Sequence, residues 1–563
     1  MEITRRHVPE AAATLGAAGI APVMARVFAA RGIATAAELD NDLAGLPPWH
    51  TLKGIAAASE RLASAIERGE RLLIVADYDA DGATACAVGM RGLAAMGATV
   101  EFLVPNRFEF GYGLTPEIVA LAAARQPNLI VTVDNGIASV EGVAAARALG
   151  IDVLITDHHL PGDELPGTAW IVNPNQPGCA FPSKHLAGVG VMFYVLCALR
   201  ALLRERGHFA HRAEPRLSAL LDLVALGTIA DVVRLDHANR IFVDQGLRRI
   251  RAGRMQPGVR ALLSVGGRSP ERATGYDLGF IAGPRLNAAG RLADMSVGIA
   301  CLMCDDQSSA DRIATELDGL NRERRDVEAT MQEQALADLE CGVDDDACTL
   351  CLYRAEWHQG VVGIVASRLK DRYHRPVIVF ARAGADGELR GSGRAIAGFH
   401  LRDALDIVAK RAPGTIRRFG GHAYAAGLSL HETALQRFAE EFERVGREWL
   451  SPALLLRTIE TDGALATGEL TLGLAKVCAG HVWGQGFPAP AFDAEFTVTA
   501  QRVVGDKHLK LALSLDERCY DAILFQRTES LPSRIRAAYR PEVNHYQGLD
   551  SLQLVIEHWL PAS

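Results

Sequence analysis

The chain lacks any apolar run long enough to cross a membrane. Its most apolar stretch, Leu186 to Leu199, is broken by Arg200 before reaching the roughly 20 residues a spanning helix needs. The N-terminus, Met-Glu-Ile-Thr-Arg-Arg-His, leads into Ala-rich amphipathic sequence, without the charged segment, apolar block and small-residue cleavage site of a secretion signal. A cytoplasmic protein with no membrane attachment is expected. Three common catalytic signatures are also missing. There is no Gly-x-x-x-x-Gly-Lys, no His-Glu-x-x-His and no Gly-x-Ser-x-Gly, which removes nucleotide-switch, zinc-protease and serine-hydrolase readings.

Lysine is scarce, and arginine supplies most of the basic residues. That bias fits either a GC-rich genome or phosphate recognition by the planar guanidinium fork. A net charge of -8 excludes a uniformly basic coat, so any nucleic-acid site must be a local groove. Ten cysteines include the pairs Cys301/Cys304 and Cys348/Cys351. Both lie in apolar runs without the tight turns that present thiolates to zinc, so they read as buried, reduced cysteines.

With 49% hydrophobic and 22% charged residues the chain is an ordinary globular protein. At 563 residues it exceeds what one core can hold, so about three domains are expected. Residues 71–76, 99–104, 128–133, 152–156 and 169–173 are short apolar runs without polar alternation, as in strands buried on both faces. Helical patterns separate them over Thr84 to Met96, Thr115 to Arg125 and Ser139 to Leu149. The repeated βα unit predicts an α/β fold with an open parallel sheet.

A charged stretch from Ser308 to about Glu340, apolar at Ile313, Leu317, Leu320, Val327, Met331 and Leu339, predicts a long helix joining two lobes. A second α/β lobe follows. Phe492 to Val504, Leu509 to Leu515 and Tyr520 to Phe525 then alternate like antiparallel strands, with a turn at Gly505-Asp506-Lys507, and predict a small β-barrel. The expected domains are an N-terminal helical segment (1–50), a catalytic domain (51–305), a linker helix (306–341), a second α/β domain (342–450) and the barrel (455–563).

Chemistry gathers where apolar runs end. Asp77-Tyr-Asp79-Ala-Asp81-Gly follows Leu72 to Ala76, Asp134 follows Leu129 to Val133, and Asp157-His158-His159 follows Val153 to Thr156. Asp231 lies within Gly227 to Val233, and His422 follows Gly420-Gly421. Ligands of open α/β sheets sit beyond the carboxyl ends of the strands, where oxygen and imidazole donors suit a divalent cation. One such aspartate alone reads equally as a helix cap, and Asp81, before Gly82 and a helix from Ala83, needs no other role. Their coincidence on one edge predicts a metal site in which Asp134 bridges two ions that activate water against a phosphate ester.

The blocks Asp77 to Gly82, Val133-Asp-Asn-Gly-Ile137, Asp157-His-His159 and Gly227-Thr-Ile-Ala-Asp-Val-Val233 resemble the DHH phosphoesterase superfamily. Pro105 to Leu114, Gly283 to Arg291, Trp357 to Ile364 and Gly420 to Gly427 are similar to its single-strand-specific 5′→3′ exonuclease branch. The resemblance runs in order from about 50 to 525. It implies a parallel-sheet DHH catalytic domain joined by the long helix to a second α/β (DHHA1-type) domain, with an OB-fold barrel that grips single strands. The implied activity is Mn²⁺- or Mg²⁺-dependent removal of 5′-mononucleotides from single-stranded DNA in recombination and repair, with two ions.

Carried over by motif, the resemblance implies Asp77, Asp79, Asp134, His158 and Asp231 as metal ligands, Asp157 among the catalytic residues and His159 toward the scissile phosphate. Val75 stands where many small relatives have a ligating histidine. Arg107, Arg285, Ser392 and Arg394 correspond to a terminal-phosphate pocket, with Asn287 also contacting substrate and His422 near its backbone. Without the resemblance, Gly391-Ser-Gly-Arg394 reads as an anion nest or as an ordinary glycine turn. Lys507, His508 and Lys510 are candidate contacts on the barrel. Implied partners are a single strand with a free 5′ end, single-stranded-DNA-binding protein and a helicase, acting on a monomer. Two rivals share the fold: a phosphodiesterase of short oligonucleotides or cyclic dinucleotides, and a non-catalytic DNA-binding scaffold like the replication factor Cdc45.

Overall fold

A computed structural model describes residues 2–562 apart from 107–109, 111, 343–345, 385 and 467. Two compact units result: residues 5–319 with 460–563, and residues 320–459 with the first four residues. The helix Gln307–Gly342 carries the chain from one to the other.

The first unit is built on a five-stranded sheet ordered Thr99–Leu103, Arg71–Ala76, Leu129–Val133, Asp152–Thr156, Trp170–Val172. Every pairing is parallel. The central strand Leu129–Val133 is buried throughout, which is why its sequence carries no polar alternation. Helices Pro116–Ala123 and Val140–Ala148 cover one face through Ile118, Val119, Val143 and Ala146. Helices Ala80–Ala95 and Gly188–Glu205 pack against each other on the other. A Cβ on Gly92 would come within 2.3 Å of Leu196 Cδ1, so the approach of these two helices depends on glycine there.

The helix after the first strand starts at Ala80, four residues before the position its periodicity predicts. Asp79 is the reason: its Oδ1 accepts from the Asp81 and Gly82 backbone N–H groups and caps the helix. Asp231 also departs from expectation. It is the C-terminal cap of helix Leu221–Ala230 and reaches the sheet edge from a helix end, not a strand end.

Residues 492–561 close into a barrel in the order Phe492–Val504, His508–Leu515, Arg518–Leu524, Leu549–Pro561, Arg534–Tyr546. A parallel pairing, Asp521 to Gln553 through Ile523 to Val555, shuts it. The predicted turn Gly505-Asp506-Lys507 is present between Val504 and His508, with Gly505 and Asp506 both at positive φ, which suits the right-handed twist of the flanking strands. The N-terminal segment is bound to this region by ion pairs to buried aspartates. Arg31 grips Asp462 at 2.7 and 2.9 Å, and Arg5 and Arg536 converge on Asp493.

The second unit holds a sheet ordered Ile416–Gly421, Ala425–His431, Glu388–Arg394, Val377–Arg382, Leu350–Tyr353. Only its last pair is parallel. Helices Val362–Tyr373, Leu401–Arg411 and Leu435–Trp449 bury its two faces through Val365 and Leu369 on one and Leu405, Phe438 and Phe442 on the other. No helix among the described residues is long and apolar enough to cross a membrane.

Candidate metal centre

Asp77, Asp79, Asp134, His158, His159 and Asp231 are brought together at the carboxyl edge of the parallel sheet. Ligating atoms of Asp77, Asp79 and Asp134 lie within 4.8 Å of one another, as do those of Asp134, His158 and His159, and those of Asp81, His158 and Asp231. Asp134 therefore belongs to two of the groups. His158 Nε2 is 3.1 Å from Asp134 Oδ1 and 3.5 Å from Asp231 Oδ2.

Local backbone supports this crowding. Asp134 has φ +62 and Val232, next to Asp231, has φ +61. Left-handed geometry costs a non-glycine residue about 1–3 kcal/mol, most plainly a β-branched one. Gly188, in the first turn of the buried helix, faces the Asp134 carboxylate so closely that a Cβ would lie 2.6 Å from Oδ1.

Asp81 supports the site in a way its position in sequence conceals. It is fully buried, and its two oxygens accept from Gly188 N at 2.6 Å and Val189 N at 2.9 Å. It is thus a cap, but of the helix Gly188–Glu205 and not of its own. Asp157 is likewise committed. Oδ1 accepts from the N–H groups of His158 and His159 and pairs with His159 Nδ1 at 2.8 Å, while Oδ2 accepts from Ile137 N. These bonds orient both histidines and leave Asp157 little capacity for a metal.

The electrostatics separate positioned groups from ligands. Burial would raise the Asp157 carboxyl, but the His159 hydrogen bond and charge bring it below the ordinary carboxylate range. Burial likewise opposes charge on His159, yet the hydrogen bond and charge of Asp157 raise it to about 9, so it is protonated at neutral pH. Asp134 is pushed well above the ordinary range by burial and by Asp81 and Asp79. Asp231 rises to about 8 through burial and Asp79, and Asp81 to about 7 through burial and Asp231. Burial, then the neighbouring His159, lowers His158. Among the described residues, Asp134 Oδ1 and His158 Nε2 are buried and, although 3.1 Å apart, form no hydrogen bond with each other or with any other group. Mutually repelling carboxylates around a neutral imidazole, with donor atoms left unmatched, fit a divalent cation, whose charge removes the repulsion.

The predicted phosphate residues are distributed between the units. In the first, Arg285 donates to Asp318 at 2.7 Å and to the Ile281 carbonyl, and Asn287 Oδ1 accepts from Ala80 N, bracing the metal loop. In the second, Arg394 is part-buried with bonds to Ser392 Oγ and the Gly393 carbonyl. Gly363 leaves room beside both: a Cβ there would lie 2.9 Å from Ser392 Oγ and 3.1 Å from an Arg394 nitrogen. His422 is exposed just beyond strand Ile416–Gly421. Arg107 lies outside the described residues. On the barrel, Lys510 pairs with Asp521 at 3.4 Å and His508 Nδ1 accepts from Gln526 N.

Tyr112 received no role from sequence, although it falls in the Pro105 to Leu114 block. Its hydroxyl lies 3.3 Å from both His159 Nε2 and the Asp134 carbonyl oxygen. Only a block of residues without periodicity marked it. Among the described residues no cysteine joins a group of ligating side chains. Cys301 and Cys348 are buried.

Three family profiles match the chain: the DHH family N-terminal domain over residues 71–228, the DHHA1 domain over 346–448 and the RecJ OB domain over 461–558. The single-stranded-DNA-specific exonuclease RecJ of Salmonella typhimurium is 48% identical over 100% of this chain and 99% of its own length. That of Bacillus subtilis is 34% identical over 96% of this chain and 68% of its own. The crystal structure of RecJ in complex with Mn²⁺ from Thermus thermophilus superposes with a TM-score of 0.84 at 29% identity, covering 100% of this chain and 80% of that one. A Mg²⁺ complex of the same protein superposes at 0.78, with 27% identity over 100% of this chain and 79% of that one.

Proposed function

Because the chain belongs to the RecJ family of single-stranded-DNA-specific exonucleases, we propose that it releases 5′-mononucleotides from the free 5′ end of single-stranded DNA. It is a metal-dependent DHH-family hydrolase using Mn²⁺ or Mg²⁺. The observation that carries the reading is the pair of orphaned donors, Asp134 Oδ1 and His158 Nε2, amid carboxylates that repel one another.

Asp77, Asp79 and Asp134 would hold one ion, and Asp134, His158 and Asp231 the other. Bound there, the ions would supply an activated water and neutralise charge on the phosphoryl oxygens. The side chains around them do the rest. Asp79 holds its loop by capping the helix with one oxygen, leaving the other for ligation. Asp157 keeps His159 protonated and aimed, so that it can donate to a phosphate oxygen. Arg285 and Asn287 of the first unit, with Arg107, are assigned to substrate contacts, as are, separately, Ser392, Arg394 and His422 of the second. The Gly363 cradle beside the half-buried Arg394 guanidinium supports that assignment.

We assign catalysis to residues 51–305, substrate positioning to 342–450 after the helix of 306–341, and strand gripping to 455–563, with the helical residues 1–50 as a brace. The described cysteines are free, which supports a cytoplasmic enzyme. A monomer working with single-stranded-DNA-binding protein and a helicase in repair and recombination completes the proposal. The test is Mn²⁺-dependent digestion of end-labelled single-stranded DNA against duplex and RNA controls. Early release of labelled mononucleotide from the 5′ end is expected; internal cuts or 3′ preference refute it.

A further inference from the structure

Two aromatic rings stand exposed, without a task in the chemistry above, on a segment packed against the helix end that carries Asp231. Tyr276 is 57% and Phe280 68% exposed. Their centroids are 4.8 Å apart and their planes 22° from parallel, so they form one stacked surface. A π-helical turn, Asp277–Ala282, sets this geometry; such turns are rare and often found at functional sites.

The surface has a rigid base rooted in the metal site. Leu278 and Ala282 are buried beneath it, and Asp277 Oδ2 accepts from both the Thr274 N–H and hydroxyl. Cβ atoms built on Gly279 and Gly283 would lie 2.9 Å from Ile229 Cγ2 and 3.1 Å from Ala230 Cβ. Ile229 and Ala230 immediately precede Asp231. Toward its C-terminal end the same segment runs into the helix Gly283–Leu292, whose Asn287 braces the Asp77–Asp81 loop. The two rings are thus attached to elements that carry ligands of both proposed ions.

Charge around the rings favours one kind of occupant. Seven arginines and one acidic residue, Glu271, fall between residues 248 and 272 of a chain whose net charge is -8, and the flanking Asp244 and Asp277 pair with only two of the seven, Arg248 and Arg268. Arg268 lies with its guanidinium carbon 6.0 Å from the Tyr276 ring centre. Arg251 donates to the Ala273 carbonyl, tying the start of the basic segment to the residues before Tyr276. Exposed π-faces with cations alongside suit unpaired bases on a phosphate backbone, since every base offers a π-face whatever its identity.

We propose that Tyr276 and Phe280 are a base-stacking platform that holds unpaired nucleotides of the substrate strand beside the metal centre. The proposal rests on the exonuclease reading and adds a positioning surface to it. It also gives the enzyme a reason to prefer single strands, because paired and stacked bases present no free face to the rings.

The experiment uses the full-length protein, Mn²⁺ and 5′-phosphorylated oligonucleotides carrying one abasic site stepped along the strand. In the wild type, kcat/KM should fall about tenfold when the abasic site occupies one short window. Tyr276→Ala/Phe280→Ala should lose about tenfold on the intact strand, mainly through KM, and lose nothing more from the abasic site in that window. Tyr276→Phe and Phe280→Tyr, which keep the rings, should retain wild-type values, and they keep the test informative if the double variant does not fold. Undiminished sensitivity to the abasic site in the double variant, or loss of activity in the ring-retaining variants, overturns the platform. A wild type that digests single strands alongside an unaffected double variant removes only this inference; a wild type that digests none removes the exonuclease reading itself.

Discussion

The first unit buries aspartates in two places and treats them oppositely. Where the N-terminal segment meets the barrel, Asp462 faces Arg31 at 2.7 Å, and Asp493 accepts from Arg5, Arg536 and Thr461. Burial would raise the Asp493 carboxyl, but the hydrogen bonds from Arg5, Thr461 and Arg536 hold it below its ordinary value. At the sheet edge, among the described residues, Asp134 and Asp231 have no arginine partner, and burial together with neighbouring carboxylates drives them upward. A buried acid whose countercharge is built into the chain is scaffold. One whose countercharge is missing is waiting for a cation, and the stability forgone marks the functional edge.

The largest expected effect breaks the second region. Asp134→Asn should lower kcat by roughly a thousandfold or more, since the shared ligand supports several kcal/mol of charge stabilisation. The same variant should melt at a higher temperature than the wild type without metal, because one repelling charge is gone. Digestion assays and thermal melts in EDTA measure the two. A lower melting temperature would remove Asp134 from the repelled class.

Breaking the first region should do the reverse. Arg31→Ala removes the bidentate partner of the buried Asp462 and leaves it only Arg6 at 3.6 Å and the Ala491 N–H, with an expected cost of up to about 3–5 kcal/mol in stability. In whatever fraction stays folded, kcat should be near normal. Denaturant unfolding followed by activity at low temperature separates the terms; loss of kcat without loss of stability would break the comparison.

Metal should sharpen the contrast. Mn²⁺ at a hundred times its Kd should stabilise the wild type by about 2.7 kcal/mol, and much less in Asp134→Asn. Thermal melts across a Mn²⁺ titration provide the measurement, and equal stabilisation of both proteins would place the ion elsewhere.

The sheet was legible because strands buried on both faces read as unbroken apolar runs, and the acids and histidines that end them stand next to those runs in sequence. What each carboxylate does was less legible, because its partner is distant. Asp79 takes the local capping position expected of Asp81 as well as its place among the ligands, while Asp81 caps a different helix, the one that begins at Gly188. Tyr112 and the bond from Ala80 N to Asn287 are also tertiary and leave no periodic trace. In the barrel, the strand Arg534–Tyr546 escaped notice because Pro541 lies inside it, normally a mark against a strand. It is tolerated beside a register shift at Ala538/Tyr539.

The smallest effect is a pH dependence whose sign differs between the two regions. Asp231 and Asp81, at about 8 and about 7 when folded, lie above their unfolded values. A carboxyl raised by folding favours the folded state at low pH, and that preference is lost as pH climbs through the folded value. Without metal, this edge should therefore weaken the protein as pH rises from about 4 toward 8. Asp493 runs the other way, since its lowered value gives stability that is present at neutral pH and lost only on acidification. Mn²⁺ must displace the proton that its ligand Asp231 retains, so its binding should release protons and tighten by about tenfold per pH unit for each proton displaced, flattening above about 8. Calorimetry in buffers of different ionisation enthalpy counts those protons. A Kd that does not change between pH 6 and 8 would mean that the sheet-edge carboxylates are already ionised without metal, as Asp493 is, and the distinction between the two regions would then rest on geometry alone.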